Sequence, residues 1–189
     1  MELLKTNYPE LPVTKELALD VKRLEKVTER FSRIGSKPLL TQDNILALIQ
    51  NSVNYLKSRS SSKVLFVLPF TADDEINLPV NPALFEWVIE NVCKNGIDAM
   101  EGDGEITIKV EEEEKYAIID ISDTGKGLPK SSWKKIFSPG YTTKKRGWGL
   151  GLSLAKRIIE EYHHGRIFVK SSEPGKGTCI RIMMKTGIV

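Results

Sequence analysis

Cysteine is scarce in this chain. The 189 residues hold two, Cys93 and Cys179. They match no metal-ligand spacing, so a disulfide scaffold and a thiolate metal site are excluded, and both read as buried thiols. Histidine is as rare: the adjacent pair His163 and His164 is all there is. No apolar run approaches the length of a membrane span, and no signal peptide opens the chain, so these residues read as cytoplasmic, with a membrane anchor left open for a longer parent. Acid is missing from one long stretch. From Thr124 to Ile159 there is no Asp or Glu, while Lys126, Lys130, Lys134, Lys135, Lys144, Lys145, Arg146, Lys156 and Arg157 all fall within it. Such a segment attracts an anion, or is a solvated basic surface. Nucleic acid lacks support as that anion, because no helix-turn-helix and no aromatic-interleaved basic stripe is present. Internal repeats and low-complexity segments are missing too.

What is present is a globular composition, 40% apolar and 28% charged, enough for one full domain with a real core. Residues 1–36 divide from the rest. After the two-proline loop "TNYPELP", Val13, Leu17, Val21, Leu24, Thr28 or Val27, and Phe31 recur at steps of three and four, which predicts an amphipathic helix with a narrow apolar seam. Beyond it, helices are expected at 41–60, with Thr41 as N-cap, at 81–100, with Asn81 as cap and Pro82 at the first helical position, and at 148–162, stopped by Gly165. Strands are expected at 63–70, as a hairpin over 102–123, and as "RIFVKSS" and "TCIRIMMK" around the turn "EPGKG". Hairpins mixed with single helices suggest a mixed sheet with helices on one face.

Four stretches carry chemical possibilities. Asn91, Asn95 and Asp98 share a helix face beside the apolar stripe of Leu84, Val88 and Val92, as in a helix lining a cleft, or simply a solvated one. Amide oxygens are hard ligands suited to Mg²⁺ with phosphate. "DTGKG" puts Asp123 at a strand end before Gly125 and Gly127, where a carboxylate can accept from an exocyclic amine and glycines allow close approach; many ordinary turns share the pattern. "TTKKRGWGLGL" is neither a Walker A loop nor a dinucleotide fingerprint. It is a glycine-rich helix entrance, fit to hold phosphate on backbone N–H groups, or a mobile loop. "GKGT", ending at Thr178, is by itself a hairpin turn.

The order of these motifs is specific. N-x-x-x-N on a helix, D-x-G-x-G after a strand, F-x-P-x-x-T-T-K, G-x-G-L-G-L and G-x-G-T closely resemble the catalytic ATP-binding domain of sensor histidine kinases. That family shares a superfamily with type II topoisomerases, heat-shock chaperone ATPases and mismatch-repair ATPases. The resemblance implies an α/β two-layer sandwich, with a mixed five-stranded sheet and about three helices on one face, over residues 38–189. It implies a remnant of the dimerisation and phosphoacceptor hairpin over 1–36.

It also implies roles. Asn95 would be the Mg²⁺ ligand, Asn91 a phosphate-side partner and Asp98 a secondary contact. Asp123 would read the adenine amine, with Gly125 and Gly127 shaping the pocket and Thr178 on its floor. Phe137, Thr142, Thr143, Lys144, Lys145 and Arg146 would belong to a mobile lid, and Gly147, Gly149, Leu150, Gly151 and Leu152 would hold phosphates. The family often has Phe where Gly140 or Tyr141 stands here. The superfamily's hydrolases usually carry a water-activating Glu where this chain has Asn91, which favours transfer over hydrolysis. His163 and His164 read as structural or surface residues, so the acceptor histidine is expected upstream of the sequence. The expected ligands are ATP and Mg²⁺, and the expected partners a second copy and a response regulator, with no nucleic acid. A regulatory nucleotide-binding module, an ATPase switch and a structural dimerisation piece are the alternatives.

Overall fold

Isoleucines at alternate positions build the centre of the molecule. The computed structural model describes residues 38–71, 74–143 and 149–186. The chain divides into Met1–Pro38 and Leu39–Val189, and the account concerns the second unit. The amphipathic helix expected within 1–36, and Lys144, Lys145, Arg146, Gly147 and Trp148, lie outside the described residues.

The elements are β1 (Thr41–Asn44), α1 (Ile45–Lys57), β2 (Val64–Val67), β3 (Asn77–Val80), α2 (Pro82–Ala99), β4 (Gly104–Glu112), β5 (Tyr116–Asp123), α3 (Gly151–Arg157), β6 (Arg166–Glu173) and β7 (Gly177–Lys185). Two short 3₁₀ turns, Lys130–Ser132 and Lys135–Phe137, follow β5. Five strands form a mixed sheet in the order β2-β4-β5-β7-β6. The β2–β4 pair is parallel and the other three pairs are antiparallel.

One face of this sheet is apolar. Ile106 and Ile108 of β4, Ile119 and Ile121 of β5, Ile180 and Ile182 of β7, and Ile167 and Val169 of β6 are buried. They meet Leu84, Val88 and Val92 of α2, Ile45, Ile49 and Val53 of α1, and Ala155, Ile158 and Ile159 at and after α3, in one continuous core. Each Leu, Ile or Val side chain among them contributes about 1.5–3 kcal/mol by leaving water. The opposite face is mixed, with Leu65, Val67 and Phe168 exposed among polar residues. There Asp120 of β5 receives both arms of Arg181 at 2.7 Å each and the Lys170 ammonium at 2.6 Å.

Four expectations need correction. Thr41 does not cap a helix; it opens β1, which pairs antiparallel with β3 in a separate two-stranded sheet. Asn44 is the cap instead, its side chain accepting from Leu46 N–H at 3.0 Å. β3 was not expected at all, and it tolerates Pro79 because each strand of a two-stranded sheet is an edge. The last helix is α-helical only over Gly151–Arg157 and continues as a π-helical turn, Ile158–Tyr162, with His163 N–H reaching Ile158 O at 3.1 Å. His164, at φ 53°, makes the left-handed stop, and Gly165 lies where a Cβ would come 2.5 Å from Met183 O. Both cysteines are free, but Cys93 alone is fully buried, its thiol pushed up to about 12, mainly by burial and further by Glu90. Asn81 and Pro82 start α2 as expected. Among the described residues no helix is long and apolar enough to cross a membrane.

Candidate functional site

The carboxyl end of β5 is the first part of the site. Asp123 is its last residue, paired with Ile106 on β4 and Thr178 on β7. Its Oδ1 accepts from Gly125 N–H at 2.9 Å, and the Thr178 backbone N–H also bonds the carboxylate. Burial raises the Asp123 pKa, and these two bonds offset part of the rise by stabilising the anion. Thr178 is buried beside it, its hydroxyl 2.9 Å from that of Ser172.

Helix α2 passes close above this carboxylate at Gly96. A Cβ there would stand 3.0 Å from Asp123 Cβ and 3.5 Å from its Oδ2. Sequence reading missed Gly96. The signal was available, since glycine inside a helix costs about 1 kcal/mol against alanine and calls for a packing reason.

Both glycines after Asp123 are demanded by neighbouring backbone. A Cβ on Gly125 would meet the Ala99 carbonyl carbon at 2.7 Å. Gly127, at φ 66°, would place one 2.0 Å from Glu173 O. Between them, Lys126 N–H donates to Ala99 O at 3.1 Å and Gly175 N–H donates to Lys126 O at 2.8 Å. The space beyond both Cα atoms is therefore filled by protein, so their part in any pocket is to fix its wall. Ser172, also missed, adds a further tie by accepting from Leu128 N–H at 2.7 Å.

The second part of the site lies one turn back along α2. Asn91 Nδ2 donates to Trp87 O and Asn95 Nδ2 donates to Asn91 O, each at 2.8 Å. Each amide spends an N–H on its own helix, which orients its oxygen end away from that carbonyl. Asp98 is exposed on the same helix. The start of α3 sits on this stripe: a Cβ on Gly151 would stand 2.8 Å from Asn91 Oδ1. Leu150 precedes it without a side-chain cap, and Ser153 Oγ donates to Leu150 O at 3.0 Å. Leu150 and Leu152 are half-buried, Leu152 packing against the core.

Gly149 closes a loop. Gly140 N–H donates to Gly149 O at 3.0 Å, and a Cβ on Gly149, at φ 64°, would strike the Gly140 carbonyl carbon at 2.6 Å. Residues 141–148 thus leave and return at one point. Thr142 and Thr143 are exposed within it. Phe137 is not part of it. It precedes that loop, its apolar ring buried in the core with Ile136 at the second 3₁₀ turn.

His163 is a structural residue, as expected. Its Nε2 accepts from Asn81 N–H at 3.0 Å and its Nδ1–H donates to Ile158 O at 2.9 Å. Burial lowers its pKa, helped by His164 and opposed by the Ile158 bond. His164 is exposed.

Residues 80–188 match the profile of the histidine kinase-, DNA gyrase B- and HSP90-like ATPases. Sporulation kinase C of Bacillus subtilis is 28% identical over 188 residues, covering 97% of this chain and 44% of its own. Sensor histidine kinase ZraS of Salmonella typhi is 33% identical over 172 residues, 89% of this chain and 36% of its own. The chain therefore spans less than half the length of these relatives. Among solved structures, the catalytic domain of histidine kinase ThkA superposes with TM-score 0.68 at 26% identity, covering 78% of this chain and 95% of that one. ThkA in complex with the response regulator TrrA gives TM-score 0.70 at 23% identity, over 90% of this chain and 49% of that one.

Proposed function

The chain belongs to the family of histidine kinase-, DNA gyrase B- and HSP90-like ATPases, and on that premise we propose that it is the ATP-binding kinase domain of a sensor histidine kinase. The observation that carries this reading is the junction of α2 with two glycine-bearing segments. Gly96 lies on Asp123, and Gly151 lies on Asn91. One helix thus packs on a half-buried carboxylate on one side of Asn95 and on a glycine-bearing helix start on the other.

In this reading Asp123 accepts from the adenine amine, next to Thr178. Asn91 and the backbone N–H groups of Gly149 and Gly151 face the phosphates, with Thr142, Thr143 and the basic residues of the acid-free stretch adding donors and charge. The donor set fits Mg²⁺. The Asn95 amide turns its nitrogen to Asn91 O and so offers an oxygen, a hard ligand. No cluster of three acidic, His or Cys side chains occurs among the described residues, so phosphate and water oxygens would complete the shell. When bound, Mg²⁺ neutralises phosphate charge, and the protein's share is positioning and exclusion of water.

The γ-phosphoryl group would pass to the imidazole of a histidine upstream of residue 1. His163 is unsuited, since both its ring nitrogens are hydrogen-bonded in the core. Transfer is favoured over hydrolysis by Asn91, because a side-chain amide cannot take a proton from water at neutral pH. The proposed partners are a second copy, through a helical hairpin that includes 1–36, and a response regulator. The ThkA complex with TrrA supports the latter. Residues 38–189 would form the catalytic domain, and its place would be the cytoplasm.

Calorimetric titration with ATP, with and without Mg²⁺, tests the site, and binding strengthened by Mg²⁺ is the expected result. A longer chain that includes the upstream helix should take acid-labile label from γ-labelled ATP. Steady phosphate release without protein label would replace the kinase reading by an ATPase one.

A further inference from the structure

Ser172 owes its position to an irregularity in β6. Ile167 and Val169 of that strand are buried on the helix side. Continued alternation would turn residue 172 to the opposite face. Instead the pairing with β7 slips between Val169 and Ser171, and Ser172 stands opposite Thr178 on the helix side. An extra residue in one strand re-aims the side chains that follow it.

The hydroxyl so placed meets three groups. Leu128 N–H donates to Ser172 Oγ at 2.7 Å. Ser172 Oγ donates to Gly177 O at 3.0 Å and lies 2.9 Å from Thr178 Oγ1. A hydroxyl has one hydrogen and two acceptor lone pairs. A carbonyl can only accept, so all three contacts are hydrogen bonds together only when the Ser172 hydrogen goes to Gly177 O. Both Ser172 lone pairs are then filled, one by Leu128 N–H and one by Thr178 O–H. The Thr178 hydrogen is committed, and Thr178 has only lone pairs left for a ligand. The adjoining group, Asp123, is a carboxylate and an acceptor too.

Resting on the ATP-site reading, we propose that Ser172 is a positioning residue that sets purine selectivity. It holds the Thr178 hydroxyl as an acceptor beside Asp123, so the site favours a 6-aminopurine over a 6-oxopurine. An amino group brings two N–H donors to two acceptors. An oxo group brings a third acceptor to that position, and the one hydrogen a 6-oxopurine carries nearby, on N1, can serve only one of the two. Ser172 acts through Thr178 and through the loop it ties at Leu128, without touching the base.

The test uses the 189-residue chain and two probes, ATP and inosine triphosphate, which differ in the 6-substituent and in the proton on N1. Calorimetry gives both affinities for the wild type, Ser172→Ala and Ser172→Thr. The wild type should prefer ATP. In Ser172→Ala the Thr178 hydroxyl is free to donate, and the ATP-to-inosine preference should fall about tenfold, the worth of one hydrogen bond. Ser172→Thr keeps a hydroxyl and should restore it. If the alanine variant unfolds, Ser172→Cys, of similar shape but a weak donor and acceptor, should show the same fall. A preference equal to wild type in whichever of these variants folds overturns the proposal and leaves the ATP site standing. A wild type that binds neither nucleotide overturns both.

Discussion

Gly151 rests on Asn91. A Cβ at Gly151 would stand 2.8 Å from the Asn91 amide oxygen, so the first residue of α3 and the polar stripe of α2 share one contact surface. The obstacle is the end of a side chain, which can swing away at the expense of its orientation. Gly151→Ala should therefore leave thermal stability near wild type and weaken ATP binding by about tenfold or more, the scale of one displaced polar contact. Gly149→Ala should behave differently. Its φ of 64° and its 2.6 Å approach to Gly140 backbone leave no such escape. It should lose about 1–3 kcal/mol of stability as well as ATP affinity. Melting curves beside calorimetry separate the two, and identical behaviour of the variants would refute the distinction.

At Gly96 propensity and packing oppose each other. Alanine there would gain about 1 kcal/mol of helix preference. It would also press a methyl to 3.0 Å from Asp123 Cβ. The expected outcome is a small net change in stability with a clear loss of ATP affinity. Unaltered affinity in Gly96→Ala would show that Asp123 can move without consequence for the ligand.

His163 makes stability depend on pH. Its folded pKa lies below the ordinary 6.5, because burial disfavours the charged ring. The unfolded chain therefore binds the proton first. Stability from this group is fully present above about pH 6.5 and is lost as pH falls through the folded value. Protonation would also set an N–H of the ring against the Asn81 N–H that it now accepts. Urea midpoints between pH 8 and 5 should fall with pH, and His163→Gln should flatten the profile. A midpoint that rises on acidification would contradict the assignment.

Asp120 provides a control on the far face of the sheet. Burial pushes its carboxyl up, but the hydrogen bonds and charges of Arg181 and Lys170 outweigh it and hold the group below the usual range. Its stabilisation is present above pH 3.8 and lost as pH falls through the lowered folded value. Asp120→Asn should cost about 1–2 kcal/mol in denaturant titrations, because the bidentate contact is partly buried. ATP affinity should stay as in the wild type. A large loss of affinity would mean that the two faces of the sheet are coupled.

The sequence was most legible where one local rule acted alone. Asn81 and Pro82 announce α2, and the alternation at Ile106 and Ile108 announces β4, with no competing signal. The start of α1 was misread because Thr41 and Asn44 are both good caps, and the choice falls to pairing with β3, a distant segment whose proline hides it. Phe137 was placed by motif order alone, and its burial in the core needs Ile136 and the turn before it. Gly96 and Ser172 were passed over for a related reason. Each matters through a partner distant in sequence, Asp123 for the first and Leu128 and Thr178 for the second, and Ser172 further needs a bulge that no local pattern reveals.

The bond between Gly140 and Gly149 makes this place in the chain a splice point. Because the backbone meets itself there, the fold sees two fixed ends and is indifferent to how many residues run between them. Doubling that length would add only about 0.6 kcal/mol of closure entropy. Beyond Tyr141, which packs against the core, the segment can then differ in length or charge at little cost to the sheet.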